Sequence, residues 1–139
     1  MASFNKFQSF VEALDEKVHN LGADTLKVLL TNTAPVNTNT VKANLTEISA
    51  GNGYTAGGTA ATISSSAQSS GTYKLVLADV VFTASGGSIG PFRYVVLYND
   101  TATNDELIAW WDYGSSITLA DGETFTVDFD ASAGVLTVA

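Results

Sequence analysis

The heptapeptide TFTVDFD, residues 124–130, alternates polar and apolar side chains without interruption. Side chains of a strand point alternately to its two faces, so Phe125, Val127 and Phe129 share one face. Thr124, Thr126, Asp128 and Asp130 take the other. Burying the three apolar side chains would contribute at most roughly 5–9 kcal/mol. The stretch therefore reads as a half-buried strand, and its neighbours repeat the theme. LIAWWDY at 107–113 precedes a Gly114-Ser115-Ser116 break, and residues 117–119 lead into an Asp121-Gly122 turn. Asp-Gly between apolar runs is a hairpin signal, so a hairpin into 124–130 is expected. Residues 135–138 supply a final strand.

Upstream, YKLVLADVVFT at 73–83 and FRYVVLYN at 92–99 are apolar on both faces. Strands of that kind belong in the interior of a sandwich. The turn-forming ASGGSIGP, 84–91, joins them. TLKVLLT at 25–31 reads as the first strand. An Asn- and Thr-rich connection, 32–53, follows; within it, 41–48 reads equally as a short helix or a strand. Gly57-Gly58 suggests a bulge or a close backbone approach. SSSAQSSG at 64–71 is either a polar edge strand or a loop. Seven or more short strands predict an all-β domain, a β-sandwich or jelly roll.

Residues 4–21 carry a different period. Phe4, Phe7, Phe10/Val11, Leu14, Val18 and Leu21 recur every three or four positions, with Ser3 as N-cap and Gly22 as the stop. The expected organisation is thus an N-terminal amphipathic helix, 1–22, packed on or beside a single β-sandwich domain, 23–139. The helix stripe either covers the domain's own core or docks on a neighbouring subunit.

At 139 residues the chain fits one domain. Charged residues make up only 14%, against about 25% in typical domains. Large neutral surfaces can be buried against a partner at little desolvation cost. The net charge of −8 is unevenly spread. Residues 1–93 balance six acidic against six basic side chains, whereas 94–139 hold eight acidic and no basic one. Such a surface repels phosphate backbones and anionic lipid, so neither nucleic acid nor membrane is an expected partner. With no cysteine, disulfides, thiolate metal sites and cysteine nucleophiles are excluded. No apolar run approaches the ~20 residues of a bilayer span, and the first residues do not read as a secretory signal.

Chemistry finds little to work with, and no enzymatic activity or cofactor is expected. His19, the single histidine, lies four residues after Asp15 on the expected helix and reads as a surface residue, since no nucleophile elbow accompanies it. Asp100, Asn104, Asp105 and Glu106 crowd the 99–106 loop, a set that suits Ca²⁺ by ligand type but departs from the EF-hand spacing. A solvated turn is the expectation. Asp128 and Asp130 share a strand face, yet nothing sets a raised-pKa acid opposite a base. Trp110 and Trp111 are adjacent in a strand and so face opposite ways: both pack in a core, or one is presented to a partner as an interface anchor or a sugar-stacking surface. The candidate interface residues are accordingly Phe4, Phe7, Phe10, Val11, Trp110 and Trp111.

Four strings, LKVLLTNTAPV (26–36), NGYTAGG (52–58), SGGSIGPFRYVVLYND (85–100) and LIAWWDYGSS (107–116), together resemble a family of small virion structural proteins of tailed bacteriophages. The resemblance covers nearly the whole chain and brings no catalytic motif. It implies a virion component. The expected role is a capsid decoration or cement protein that binds the major capsid protein or another virion protein and forms a homo-oligomer, a trimer by preference. A tail or fibre-attachment protein is the first alternative and a carbohydrate-binding adhesin the second. In the decoration role, residues 32–53 and the N-terminal helix are expected to make much of the intersubunit contact.

Overall fold

A computed structural model describes residues 2–139. In chain order the elements are β1 (Asn5–Lys6), α1 (Ser9–Asp15), β2 (Leu26–Thr31), a 3₁₀ turn (Lys42–Asn44), β3 (Thr59–Ala61), β4 (Ile63–Ser69), β5 (Thr72–Leu77), β6 (Val80–Thr83), β7 (Ile89–Asn99), β8 (Leu107–Leu119), β9 (Thr124–Val127) and β10 (Leu136–Val138). The fold is all-β with one short helix. Three antiparallel sheets form it, in the orders β1-β8-β7-β2-β3, β10-β5-β4 and β6-β9.

Side-chain alternation shows how the sheets stack. Along β2 and β7, Val28, Leu30, Val95 and Leu97 join a large core that also holds Leu75, Leu77, Val80, Phe82 and Leu136 from the two smaller sheets and Phe129 from the segment after β9. The alternate residues Leu29, Val96 and Tyr98 join a second cluster with Phe7 and Leu107, against which Leu45 and Trp110 pack. One face of the five-stranded sheet therefore meets the two smaller sheets in a sandwich-like arrangement. The other face is covered by the N-terminal arm and the 32–53 connection.

That connection is held down at many points. Ile48 donates its N–H to the Leu30 carbonyl, and Thr31 Oγ1 donates to the Thr46 carbonyl. Lys42 Nζ sits 5.7 Å from the centre of the Tyr98 ring. Of the two readings left open for 41–48, neither a full helix nor a strand forms; only the three-residue 3₁₀ turn appears. Gly57-Gly58 does mark a close approach. A Cβ on Gly58 would stand 1.8 Å from the Val28 carbonyl oxygen, and its φ of +80° already lies in the left-handed region.

Three local expectations need correction. The helix spans Ser9–Asp15 alone, not 4–21. Asn5 and Lys6 instead pair with Trp110 and Ala109 of β8, and Lys17 at φ +68° lies in the left-handed region just past the helix end. The 73–83 run is two strands, because Asp79 Oδ1 accepts the Phe129 N–H at 2.9 Å and interrupts the ladder. The Asp121-Gly122 turn forms, but it does not make a hairpin of β8 and β9. It is bound to the 84–86 segment (Gly122 N–H to the Ala84 carbonyl, Gly86 N–H to Asp121 Oδ1), and β9 pairs with β6. The 64–71 segment is the polar edge strand β4 and its turn.

A candidate docking groove

At one side of the sandwich lies a groove of about 500 Å³ whose lining is mostly apolar. Its floor is the face of TFTVDFD identified from alternation: Phe125, Val127 and Phe129, with Val95 of β7 and Val135. Trp111 of β8 meets Phe129 edge-on at 5.8 Å, and Tyr113 meets Phe125 edge-on at 5.6 Å. Phe4 closes one end, edge-on to Trp111 at 5.7 Å. Edge-to-face pairs of this kind hold rings in fixed orientations. Phe4 is 39% and Tyr113 54% exposed, so the rim offers aromatic surface to whatever enters.

The acidic side chains of the rim are Asp128 and Asp130. Asp130 Oδ1 accepts the N–H groups of Ser132 and Ala133, both at 2.8 Å. Those bonds hold its carboxyl below the usual carboxylate range. A general acid needs the opposite shift, so the Asp130 carboxylate serves here as a turn scaffold.

The sequence-derived interface residues part company here. Phe4 and Trp111 belong to the groove. Phe7 is fully buried on the opposite face of the sheet, and Phe10 is 4% exposed and stacked at 5.4 Å on His19; both belong to the chain's own core. Val11 is 47% exposed but lies on α1, outside the groove. Trp110 faces away from Trp111, as strand alternation requires, and packs edge-on to Tyr94 at 6.0 Å. Both tryptophans are half-buried. Tyr113, Phe125 and Phe129 complete the groove; alternation flagged the two phenylalanines as core, but nothing local to them shows which strand edge stays open beside them.

Several polar side chains outside the groove serve the fold. Tyr54 OH donates to Glu47 Oε2 at 2.5 Å and accepts the Leu30 N–H at 3.1 Å; burial and the Glu47 contact push its pKa upward. Tyr98 OH donates to the Gly57 carbonyl, and burial raises its pKa as well. Arg93 grips Asp112 through two hydrogen bonds of 2.8 and 3.0 Å, which lower the Asp112 pKa. In the 99–106 loop, Asp100 pairs with Lys27 at 3.2 Å, and Glu106 accepts from Asn104. No group of three or more His, Cys, Asp or Glu side chains among the described residues is placed to hold a metal ion.

His19 corrects a further expectation: it is buried, not on the surface. Its Nδ1 meets Asn99 Nδ2 at 3.0 Å, and no partner reaches Nε2. No helix among the described residues is long and apolar enough to cross a membrane. Comparison with family models, with curated proteins and with solved structures gave no match to this chain.

Proposed function

We propose that the protein is a non-enzymatic structural component of a tailed-phage virion, a capsid decoration or cement protein that grips assembled shell proteins. The observation that carries the reading from the structure is the aromatic groove: a fixed, apolar docking surface on a sandwich whose buried Tyr54 and Tyr98 hydroxyls are engaged in holding the chain together. The resemblance of the four strings supplies the virion context. A cement protein stabilises a shell because it binds the assembled form and not the dissociated one. Repetition over the lattice, and association into a trimer, multiply contacts that are individually weak. The low charge content keeps the desolvation cost of such contacts small. With Phe7 and Phe10 committed to the core, the contact role proposed for the N-terminal segment narrows to Phe4 and its neighbours.

Electron microscopy of purified particles of the encoding phage tests this. Copies in the hundreds, arrayed on the head, are expected. A handful at one vertex or on the tail would replace the decoration role with that of a tail or fibre-attachment protein. Absence from the particle would refute the virion reading altogether.

A further inference from the structure

Three consecutive residues of β9, Phe125, Thr126 and Val127, line the groove, and the chain that leaves the strand lines it as far as Asp130. A strand that faces a groove with one side contributes every second residue; contributing all of them means the groove runs along the strand's edge. The edge concerned is the open one. β9 is bonded on one side to β6, no β6 residue lines the groove, and among the described residues no strand pairs with the other side of β9. An unpaired edge presents a row of N–H and C=O groups ready to bond an incoming strand.

We propose that this edge is a strand-addition site for an extended segment of another protein, one carrying alternate apolar side chains and a lysine or arginine at the Asp128 end. The inference rests on the docking role given to the groove above and names its partner's chemistry. Main-chain bonds to β9 would supply attachment over about 13 Å, the length of its four residues. Inward side chains of the added segment would lie on Trp111, Tyr113 and Phe4. The charge argument selects the occupant. Residues 94–139 carry no basic side chain, and Asp128 and Asp130 stand at the rim; Lys74, donating to the Ser132 carbonyl at 2.7 Å, offsets Asp130, whereas Asp128 makes no ion pair among the described residues. A second copy pairing β9 to β9 would bring two sets of these carboxylates together, which opposes association. The chain's own long free edge, β4, offers Ser64, Ser65 and Ser66, which leave an apolar groove unfilled.

Amide-resolved NMR of the full chain with synthetic peptides tests the proposal without any phage particle, so its failure and that of the virion role are separable. The probe is acetyl-KVTVTVT-amide, with acetyl-EVTVTVT-amide as its charge partner. Shifts are expected at 124–130, Trp111 and Tyr113, with the acidic peptide about tenfold weaker. N-methylating the peptide at alternate residues should abolish binding in one of the two possible patterns, since only alternate amides face the edge. In Asp128→Lys, an exposed position, the preference between the two peptides should reverse. Failure of both peptides to bind, equal binding by both methylated patterns, or an unchanged preference in Asp128→Lys would each overturn the proposal. So would a dimer formed through the same residues, which makes a second copy the occupant, or displacement of the peptide by cellohexaose, which makes the groove a carbohydrate site.

Discussion

Lowering the pH from about 7.5 to about 5 is expected to destabilise the fold chiefly through His19, because histidine is the side chain that titrates in this range and the chain has one. Asn99 fixes its tautomer. The Asn99 Oδ1 accepts the N–H groups of Thr101 and Ala102, and Nδ2 donates to Asp24 Oδ2 at 2.7 Å as well as toward His19. Turning the amide over would break those bonds, so His19 Nδ1 must accept, and the proton of the neutral ring sits on Nε2. Protonating Nδ1 would set two donors face to face at 3.0 Å. Burial adds the cost of a desolvated cation, and it outweighs the attraction of Glu106 and Asp24, so the His19 pKa lies below its ordinary 6.5.

The unfolded chain then takes up the proton first. The stabilisation is complete above pH 6.5 and is lost as the pH falls from there toward the folded pKa, at up to about 1.4 kcal/mol per pH unit. Asp112 and Asp130 are shifted below their ordinary 3.8. Their contributions are present above that value and fade as the pH falls below it, outside the window. Urea unfolding at a series of pH values measures the slope. His19→Gln, which keeps an acceptor for Asn99 without titrating, should flatten it while costing about 1 kcal/mol. A wild-type stability that is level between pH 6.5 and 5, or a slope that survives in His19→Gln, would refute the tautomer argument.

Gly58→Ala should cost about 3 kcal/mol or more in a denaturant titration, since a left-handed φ is combined with a Cβ driven into the Val28 carbonyl. Gly71→Ala, where nothing lies within 4 Å, should cost only about 1 kcal/mol. Tyr54→Phe deprives the Leu30 N–H and Glu47 of a shared partner and should lower stability by about 1–3 kcal/mol. Phe129→Ala removes the ring beneath Trp111; a loss of about 3–5 kcal/mol is expected, together with a change in tryptophan fluorescence.

Alternation and apolar runs gave away the strands, because a half-buried strand must repeat every second residue whatever it pairs with. The first four residues of TFTVDFD and the two-sided run ending at Asn99 were legible on that ground, whereas 64–71, polar throughout, read equally as an edge strand or a loop and only its pairing with β5 decides it. Pairing was not. The Asp-Gly turn carries the local signature of a hairpin, and only the bonds made by Ala84 and Gly86 redirect its second arm to β6. The helix period at 4–21 misled for a related reason. Phe7 and Phe10 do lie three apart and both are buried, but they enter different clusters on opposite faces of the sheet, with the chain crossing its edge between them. A periodic stripe records that side chains are buried, and a short arm threading past a sheet edge produces it as well as a helix does. His19 gave no signal, since its burial depends on Asn99, eighty residues away.

The groove follows from one polar side chain in the middle of an apolar run. Without Asp79, the stretch 73–83 has the composition of a single strand able to pair with one long neighbour. Asp79 Oδ1 takes the Phe129 N–H, and the run divides into β5 and β6, paired separately with β10 and β9. Residues 128–135 then bridge the two partners outside either ladder, and they leave Phe129 and Val135 facing a space that no strand fills. A sandwich with an unbroken second sheet would bury this surface and gain roughly 25 cal/mol for each Å² of apolar area covered. Keeping it open gives up that stability in a chain whose other loops are pinned down by hydrogen bonds. A surface held open by a built-in break, walled by interlocked rings and carrying the unpaired Asp128 carboxylate at its rim, is the construction expected of a site completed by another chain.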